Sequence, residues 1–384
     1  MKTMEFDYND KLSFHAEWYD DEVSYQKKFV LNFYPSDNTV ELFDRELHRV
    51  YLKRTRMEEL HMSDMFVDNT IRIYGRQVKI TDYADTRTQR IVGKTKEHTF
   101  TIVKPSLVGK LGEVIDQIQN RGFQICKMKM CNLTRKEVLD LYEPYKGDSL
   151  LPFLLEHLVS GPLVAMELVG ENALQRWLDE LGPDDPLEGK RTAPNSLHAL
   201  YGNDSQVENG FHAAKSTEHA RREANFFFGE APTPKASIRL HNTTCCVIKP
   251  HCVAHGKLGP VLEAIVEAKF RITALQLFYL SSAAADEFLQ VYKGVVEDYH
   301  ALLLSFVDGP CVALEVAGQT DDVDAHGDFR KICGPSDPDI ARQIRPGTLR
   351  ARFGCDKYRN AVHCTDLNED TALEVEYFFK ILDR

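Results

Sequence analysis

Two histidines stand in the same local frame. His363 closes the run Asn360-Ala361-Val362-His363, with Glu374 at 374 − 363 = 11 residues beyond it, and His212 follows Asn209, with Glu223 at 223 − 212 = 11 residues beyond. A carboxylate behind a loop histidine can hold the imidazole in one tautomer, which leaves the other ring nitrogen as a nucleophile. Cations that could surround a moving phosphate accompany His363: Lys249 after an apolar run, Arg330 before a Gly-Pro turn, and Arg350 in Arg345-Pro346-Gly347-Thr348-Leu349-Arg350. A nucleophile, an orienting carboxylate and three cations are what phosphoryl transfer asks of a protein. Surface arginines around a packed histidine would look the same, and spacing alone leaves both readings open.

The frame recurs because the chain repeats. Residues 99–130 match 244–277, with Lys104 against Lys249 (249 − 104 = 145). Gly161-Pro162 matches Gly309-Pro310 (309 − 161 = 148), Gly182-Pro183 matches Gly334-Pro335 (334 − 182 = 152), and His212 matches His363 (363 − 212 = 151). Loop insertions produce such a slow drift in a tandem duplication. Each copy reads as an apolar strand ending at Lys-Pro (100–103; 245–248), then an amphipathic helix with Leu111, Val114, Ile115 and Ile118 on one face in the first copy. A second strand follows (124–132; 271–279), then a helix, then a third strand after Gly-Pro (163–168; 311–316). The run 375–381 fits a strand or a helix equally. Strands alternating with helices imply α/β domains with helices packed on a sheet.

Residues 1–92 do not repeat. Short alternating runs at 28–34, 39–44, 50–53, 69–74 and 77–81 predict a small mainly-β domain, and its scattered His15, His48 and His61 form no catalytic set. The expected division is therefore 1–92, 93–238 and 239–384. The segment 229–238 between the copies, containing Pro232 and Pro234, is short. It raises the effective concentration of one copy at the other, so an intramolecular pseudo-dimer is expected.

Bulk composition narrows the partners. A formal net charge of -11 argues against non-specific nucleic-acid binding. No apolar run approaches a membrane span, and the N-terminus has no secretory apolar core. Nine cysteines without a C-x-x-C pair suggest reduced thiols in a cytosolic compartment, with no metal ligands expected among them.

In order, Ile248-Lys249-Pro250, Asp308-Gly309-Pro310, Arg330 to Gly334, Ser336, Pro338, Pro346-Gly347-Thr348-Leu349-Arg350 and Asn360-Ala361-Val362-His363 resemble the motifs of the nucleoside diphosphate kinase family. The resemblance covers both copies, and its ordered set is specific. It implies ferredoxin-like α+β sandwich domains in tandem. His363 would accept phosphate and Glu374 would orient it. Lys249, Arg330, Arg350 and the hydroxyl of Ser336 would bind phosphates, Asn360 the ribose, and Thr365, standing where a serine is usual, would complete the nucleotide-binding set. It implies ping-pong exchange among ATP and other nucleoside tri- and diphosphates, with Mg²⁺ carried on the nucleotide phosphates. Two departures are visible: the family tyrosine falls on Leu289 or Gln290, and the base-stacking aromatic on Asp298, with Tyr299 beside it as a possible substitute. The first copy keeps Lys104, Tyr142, Asn209, His212 and Glu223. It has Leu178 and His198 for the two arginines (Arg176 lies near the first), Asp184 for the hydroxyl and Leu150 for the aromatic, so it is expected to be inactive.

The front segment resembles the DM-type domain of ciliary and flagellar proteins, through Glu17-Trp18-Tyr19-Asp20, the run 33–41, Leu52-Lys53-Arg54 and the run 71–76. One such domain before two kinase-like domains resembles the branch of the family found in ciliated cells. That implies an axonemal, microtubule-associated protein, of the microtubule-inner kind, with tubulin and other axonemal proteins as partners and a cytoplasmic pool. A purely structural tubulin-binding scaffold with vestigial sites is the alternative.

Overall fold

The structure is a computed structural model and describes residues 7–20, 24–57, 60–93, 96–229, 234–320 and 322–383. The front segment builds a six-stranded antiparallel sheet from β1 (Leu12–Asp20), β2 (Tyr25–Tyr34), β3 (Thr39–Asp44), β4 (Arg49–Arg56), β5 (Thr70–Ile73) and β6 (Arg76–Tyr83), in the order β4-β3-β2-β1-β6-β5. Alternate residues point inward: Leu12, Phe14 and Ala16 from β1 meet Phe29, Leu31 and Phe33 from β2. β1 is central, yet it is absent from the sequence reading. Its inward residues are separated by Ser13 and His15, so the run does not look apolar. Asn38, at a left-handed φ of 52°, closes the turn between β2 and β3.

The two copies contribute β7 (Glu97–Val103), β8 (Gln124–Cys131), β9 (Leu163–Gly170) and β10 (Phe211–Ala213), then β11 (Thr243–Ile248), β12 (Phe270–Phe278), β13 (Cys311–Gly318) and β14 (Val362–Cys364). They form one sheet, in the order β10-β7-β9-β8-β12-β13-β11-β14. Each half places its strands fourth, first, third, second, the ferredoxin-like order expected. The second half reads in reverse, so a pseudo-two-fold axis runs between β8 and β12, where Lys129 faces Gln276. At this seam the buried Lys129 ammonium pairs with Asp383 at 2.8 Å, and Gln276 Nε2 donates to the same carboxylate at 2.9 Å. The helices Leu111–Asn120 and Leu258–Glu267 cross on the same axis through Gly112 and Gly259. A Cβ on Gly112 would lie 2.7 Å from the Gly259 carbonyl oxygen, which only glycine tolerates. Val114 and Ile118 join Val261 and Ile265 in one core that spans both copies.

Residues 230–233 of the connecting segment, including Pro232, lie outside the described residues; Pro234 lies inside them. Further on, Ala236 bridges to Cys131 of β8. The front domain meets the second copy through an Arg72–Asp308 ion pair, a Gln77 side-chain bond to the Leu280 carbonyl, and Tyr279 Oη donating to Asn69 at 3.4 Å. The ambiguous run 375–381 is helical. The α-helix Thr371–Glu376 passes into a π-helical turn, Tyr377–Ile381, that buries Phe378 and Phe379. Among the described residues no helix is long and apolar enough to cross a membrane.

Candidate active site in the second copy

His363 is not on a loop as its sequence context suggested. It sits in the three-residue strand β14, with Val247 of β11 opposite it, and the Lys249 amide donates to Ala361 one step away. Phe288, Phe306 and Tyr292 set their rings edge-on to the imidazole at 5.1, 6.0 and 6.4 Å between centroids. Nε2 of His363 lies 2.9 Å from Glu374 Oε2. A carboxylate only accepts, so Nε2 carries the proton and Nδ1 keeps its lone pair. Thr365 Oγ1 donates to the same carboxylate oxygen at 2.9 Å and itself accepts from the Cys245 amide at 3.2 Å. Thr365 thus fixes the carboxylate that fixes the imidazole, which differs from the nucleotide-binding role implied by resemblance.

The cations are anchored to backbone. Lys249 Nζ donates to the Tyr358 carbonyl at 2.6 Å and to Ser305 Oγ at 3.3 Å, over the ring of Phe306. Burial, with Arg350 adding to it, pulls this ammonium down to about 7. Arg350 donates to the Val362 and Gly334 carbonyls at 3.1 and 2.9 Å. Arg330 bonds the Thr365 carbonyl at 2.9 Å and pairs with Asp366, whose other oxygen accepts from Tyr292. Asn360 donates from Nδ2 to the Ser336 carbonyl at 2.9 Å. Its Oδ1 is buried with no partner among the described residues, an acceptor suited to a sugar hydroxyl. Ser336 itself is exposed.

Tyr299 does not stand free as a stacking surface: its hydroxyl donates to Asp286 at 2.9 Å and Lys293 covers its ring. Leu289, at the expected tyrosine position, is fully buried. Sequence patterns did not reveal Ser305, the Tyr358 carbonyl or the Tyr292–Asp366 pair, since nothing in their spacing marks them; the fold brings them to the site.

The first copy repeats the centre and loses the periphery. Glu223 holds Nε2 of His212 at 2.9 Å, but Tyr142 Oη lies 3.0 Å from Nδ1. Lys104 bonds the Val207 carbonyl and takes the Asn209 Oδ1 at 2.7 Å, and burial lowers its ammonium to about 8. His198, in the place of Arg350, accepts burial down to about 4 and so is neutral at physiological pH. Arg176 does not replace the missing arginine, because it turns to the carbonyls of Arg121 and Glu171 over the Phe123 ring. Asp184 is paired with Lys215 at 3.2 Å. A cavity of about 190 Å³ remains, lined by Lys104, Tyr142, Leu150, Asp184, His198 and His212.

Comparison with known proteins gives the domains their families. The nucleoside diphosphate kinase family model matches residues 97–232 and again 242–383, and the DM10 domain model matches residues 1–88. The nucleoside diphosphate kinase homolog 7 of Rattus norvegicus is 42% identical over 98% of this chain and 94% of that protein, and the homolog 7 of Mus musculus matches to the same extent. A crystal form of the Aquifex aeolicus nucleoside diphosphate kinase is 36% identical over 35% of this chain and 96% of its own, with a TM-score of 0.34.

Proposed function

This chain belongs to the nucleoside diphosphate kinase family, with a DM10 domain ahead of two kinase domains, and from that premise we propose that its second copy exchanges phosphate between nucleoside tri- and diphosphates through His363. The observation that carries this is the His363–Glu374 pair at 2.9 Å, which leaves the Nδ1 lone pair as the nucleophile. Nδ1 attacks the terminal phosphorus of ATP or another triphosphate, the bond to the bridging oxygen breaks, and the diphosphate leaves. A second diphosphate then takes the phosphoryl group from the imidazole. Imidazolium character grows as the N–P bond forms, and Glu374 stabilises it. Lys249 and Arg350 face the equatorial oxygens, and the unpaired Asn360 Oδ1 accepts from the ribose. Mg²⁺ fits as a passenger on the nucleotide phosphates, because the nearby carboxylates are already engaged: Glu374 with His363, and Asp366 with Arg330 and Tyr292.

Comparison of the His363→Ala and His212→Ala proteins in a steady-state exchange assay tests the assignment. His363→Ala should lose at least about 10³-fold, and His212→Ala should stay within about twofold. Loss in His212→Ala alone would place catalysis in the first copy, and an equal loss in both would place it in the two together.

A second role rests on the front domain. Among its described residues no catalytic set gathers, and it exposes Tyr19, Tyr25, Tyr74, Leu47 and Val50. We infer that it attaches the chain to tubulin or neighbouring proteins of the ciliary or flagellar axoneme. A scaffold whose kinase folds no longer turn over is favoured by one observation: Asp298, where the base-stacking aromatic was expected, is bonded directly to Tyr358. The exchange assay separates the two readings.

A further inference from the structure

His98 on β7, Cys126 on β8 and Glu167 on β9 lie on three adjacent strands of the first copy, away from both histidine sites. Their ligand-capable atoms, an imidazole nitrogen, a thiol sulfur and a carboxylate oxygen, all lie within 4.8 Å of one another. His98 Nδ1 is 3.0 Å from Glu167 Oε1, and Lys127 Nζ pairs with Oε2 at 2.9 Å. A bulge in β8 between Ile125 and Lys127 sets Cys126 in place, and its thiol lies 3.3 Å from the Glu167 carbonyl oxygen.

The second copy provides an internal control. Its counterpart of Glu167 is Glu315, at 315 − 167 = 148. Thr243 stands where His98 does (243 − 98 = 145), and Thr273 occupies the matching bulge between Ile272 and Ala274. Both hydroxyls donate to the Glu315 carboxylate, at 3.0 and 2.7 Å, and the amides of Arg239 and Leu240 add bonds at 2.8 and 2.7 Å. There the buried glutamate is a hydrogen-bonded post. In the first copy the same post is kept while its two threonines become histidine and cysteine. His98 and Lys127 engage the carboxylate, but the thiol, a weak donor, turns to the Glu167 carbonyl and does not replace the Thr273 bond. As a ligand set the trio is apt: imidazole, thiolate and carboxylate are the three side-chain classes that bind zinc. Donors about 2.0–2.1 Å from a tetrahedral ion sit roughly 3.3 Å apart, close to the 3.0 Å between His98 and Glu167. A cleft of about 370 Å³ opens beside His98 and Glu167, walled in part by Val67 and Asp68 of the front domain, with room for water as a fourth ligand, while Cys126 closes the site from the buried side.

We propose that His98 Nδ1, Cys126 Sγ and Glu167 Oε1 form a Zn²⁺ site at the junction of the front domain and the first copy. Binding releases the Cys126 proton to solvent and moves the imidazole proton to Nε2, while Lys127 stays on Oε2. The ligands are 126 − 98 = 28 and 167 − 126 = 41 residues apart, so no short-range spacing announces them.

Titration of the full-length, metal-stripped chain with Co²⁺, followed by displacement with Zn²⁺, tests this. One ion per chain is expected, with thiolate-to-cobalt charge-transfer absorption that disappears in Cys126→Thr. His98→Thr should weaken Zn²⁺ binding by about 100-fold or more, read by competition with a chromophoric chelator. The double variant His98→Thr/Cys126→Thr reproduces the pairs that fold in the second copy, and an unchanged unfolding temperature without metal would confirm that lost binding is not lost fold. Absence of the charge-transfer band in the unmodified chain, or its persistence in Cys126→Thr, would overturn the site. Neither result bears on exchange at His363.

Discussion

Burial holds the Lys249 ammonium at about 7 against 10.5 for a free lysine, and that has two consequences of opposite kind. Between about 7 and 10.5 the folded chain binds fewer protons at this group than the unfolded chain. The group's contribution to stability therefore rises with pH across that window, and its penalty is fully present below 7. Phosphate oxygens beside Nζ would restore its proton. Nucleotide binding at pH 8 should then take up close to one proton at this site, and at pH 6 close to none. Calorimetry in buffers of different ionisation enthalpy reads the difference, and equal uptake at both values would remove Lys249 from the phosphate site. A second residue-scale expectation concerns Thr365. Thr365→Ala removes one of two bonds to the Glu374 oxygen while leaving the imidazole bond, so kcat should fall about 10-fold with KM nearly unchanged. A phosphate ligand would instead show in KM. Residue types for the centre were legible in the sequence, because His363, Glu374, Lys249 and Arg350 lie within motifs of fixed spacing. Thr365's hold on Glu374 was not, because only the fold of β14 against β11 turns its hydroxyl inward.

Two ties join the segments around Asp298 and Tyr358 in the second copy. The amide of Asp298 donates to Tyr358 Oη at 3.2 Å, and Glu297 pairs with Lys357 at 3.0 Å. The matching positions in the first copy, Leu150 and Val207, line an open cavity of about 190 Å³ instead. Tyr358→Phe keeps the ring and removes the tie to Asp298. Nucleotide association should quicken by a few fold, roughly what the loss of one exposed hydrogen bond allows, as measured by stopped-flow with a fluorescent diphosphate; an unchanged rate would mean that the tie does not gate entry. At the seam, Gly112→Val would drive a side chain into the Gly259 carbonyl. Overpacking of this kind costs about 1–3 kcal/mol, to be seen as a lower denaturation midpoint of the kinase unit. Strand and helix runs of the copies were readable from apolar periodicity. β1 and β14 were not, the first for its polar interruptions and the second because three residues are too few for a pattern.

On the scale of the whole molecule, two copies share one sheet and one core across a pseudo-two-fold axis that one chain already satisfies. Light scattering in dilute solution should therefore give the 43.9 kDa of one chain; a stable hexamer of chains would show that the internal pairing does not replace association. The duplication was plain in the sequence, but its geometry was not, since the seam depends on Gly112, Gly259, Lys129 and Asp383, which no motif groups together. If the front domain serves attachment, the His363→Ala chain should remain on salt-washed axonemes as fully as the unmodified chain. Catalysis at His363 is the central claim, and the direct measurement is to incubate the full chain with γ-labelled ATP and map the acid-labile phosphate by peptide. The label should fall on the peptide containing His363 and be discharged by added nucleoside diphosphate. Label on the His212 peptide, or none on either, would contradict it.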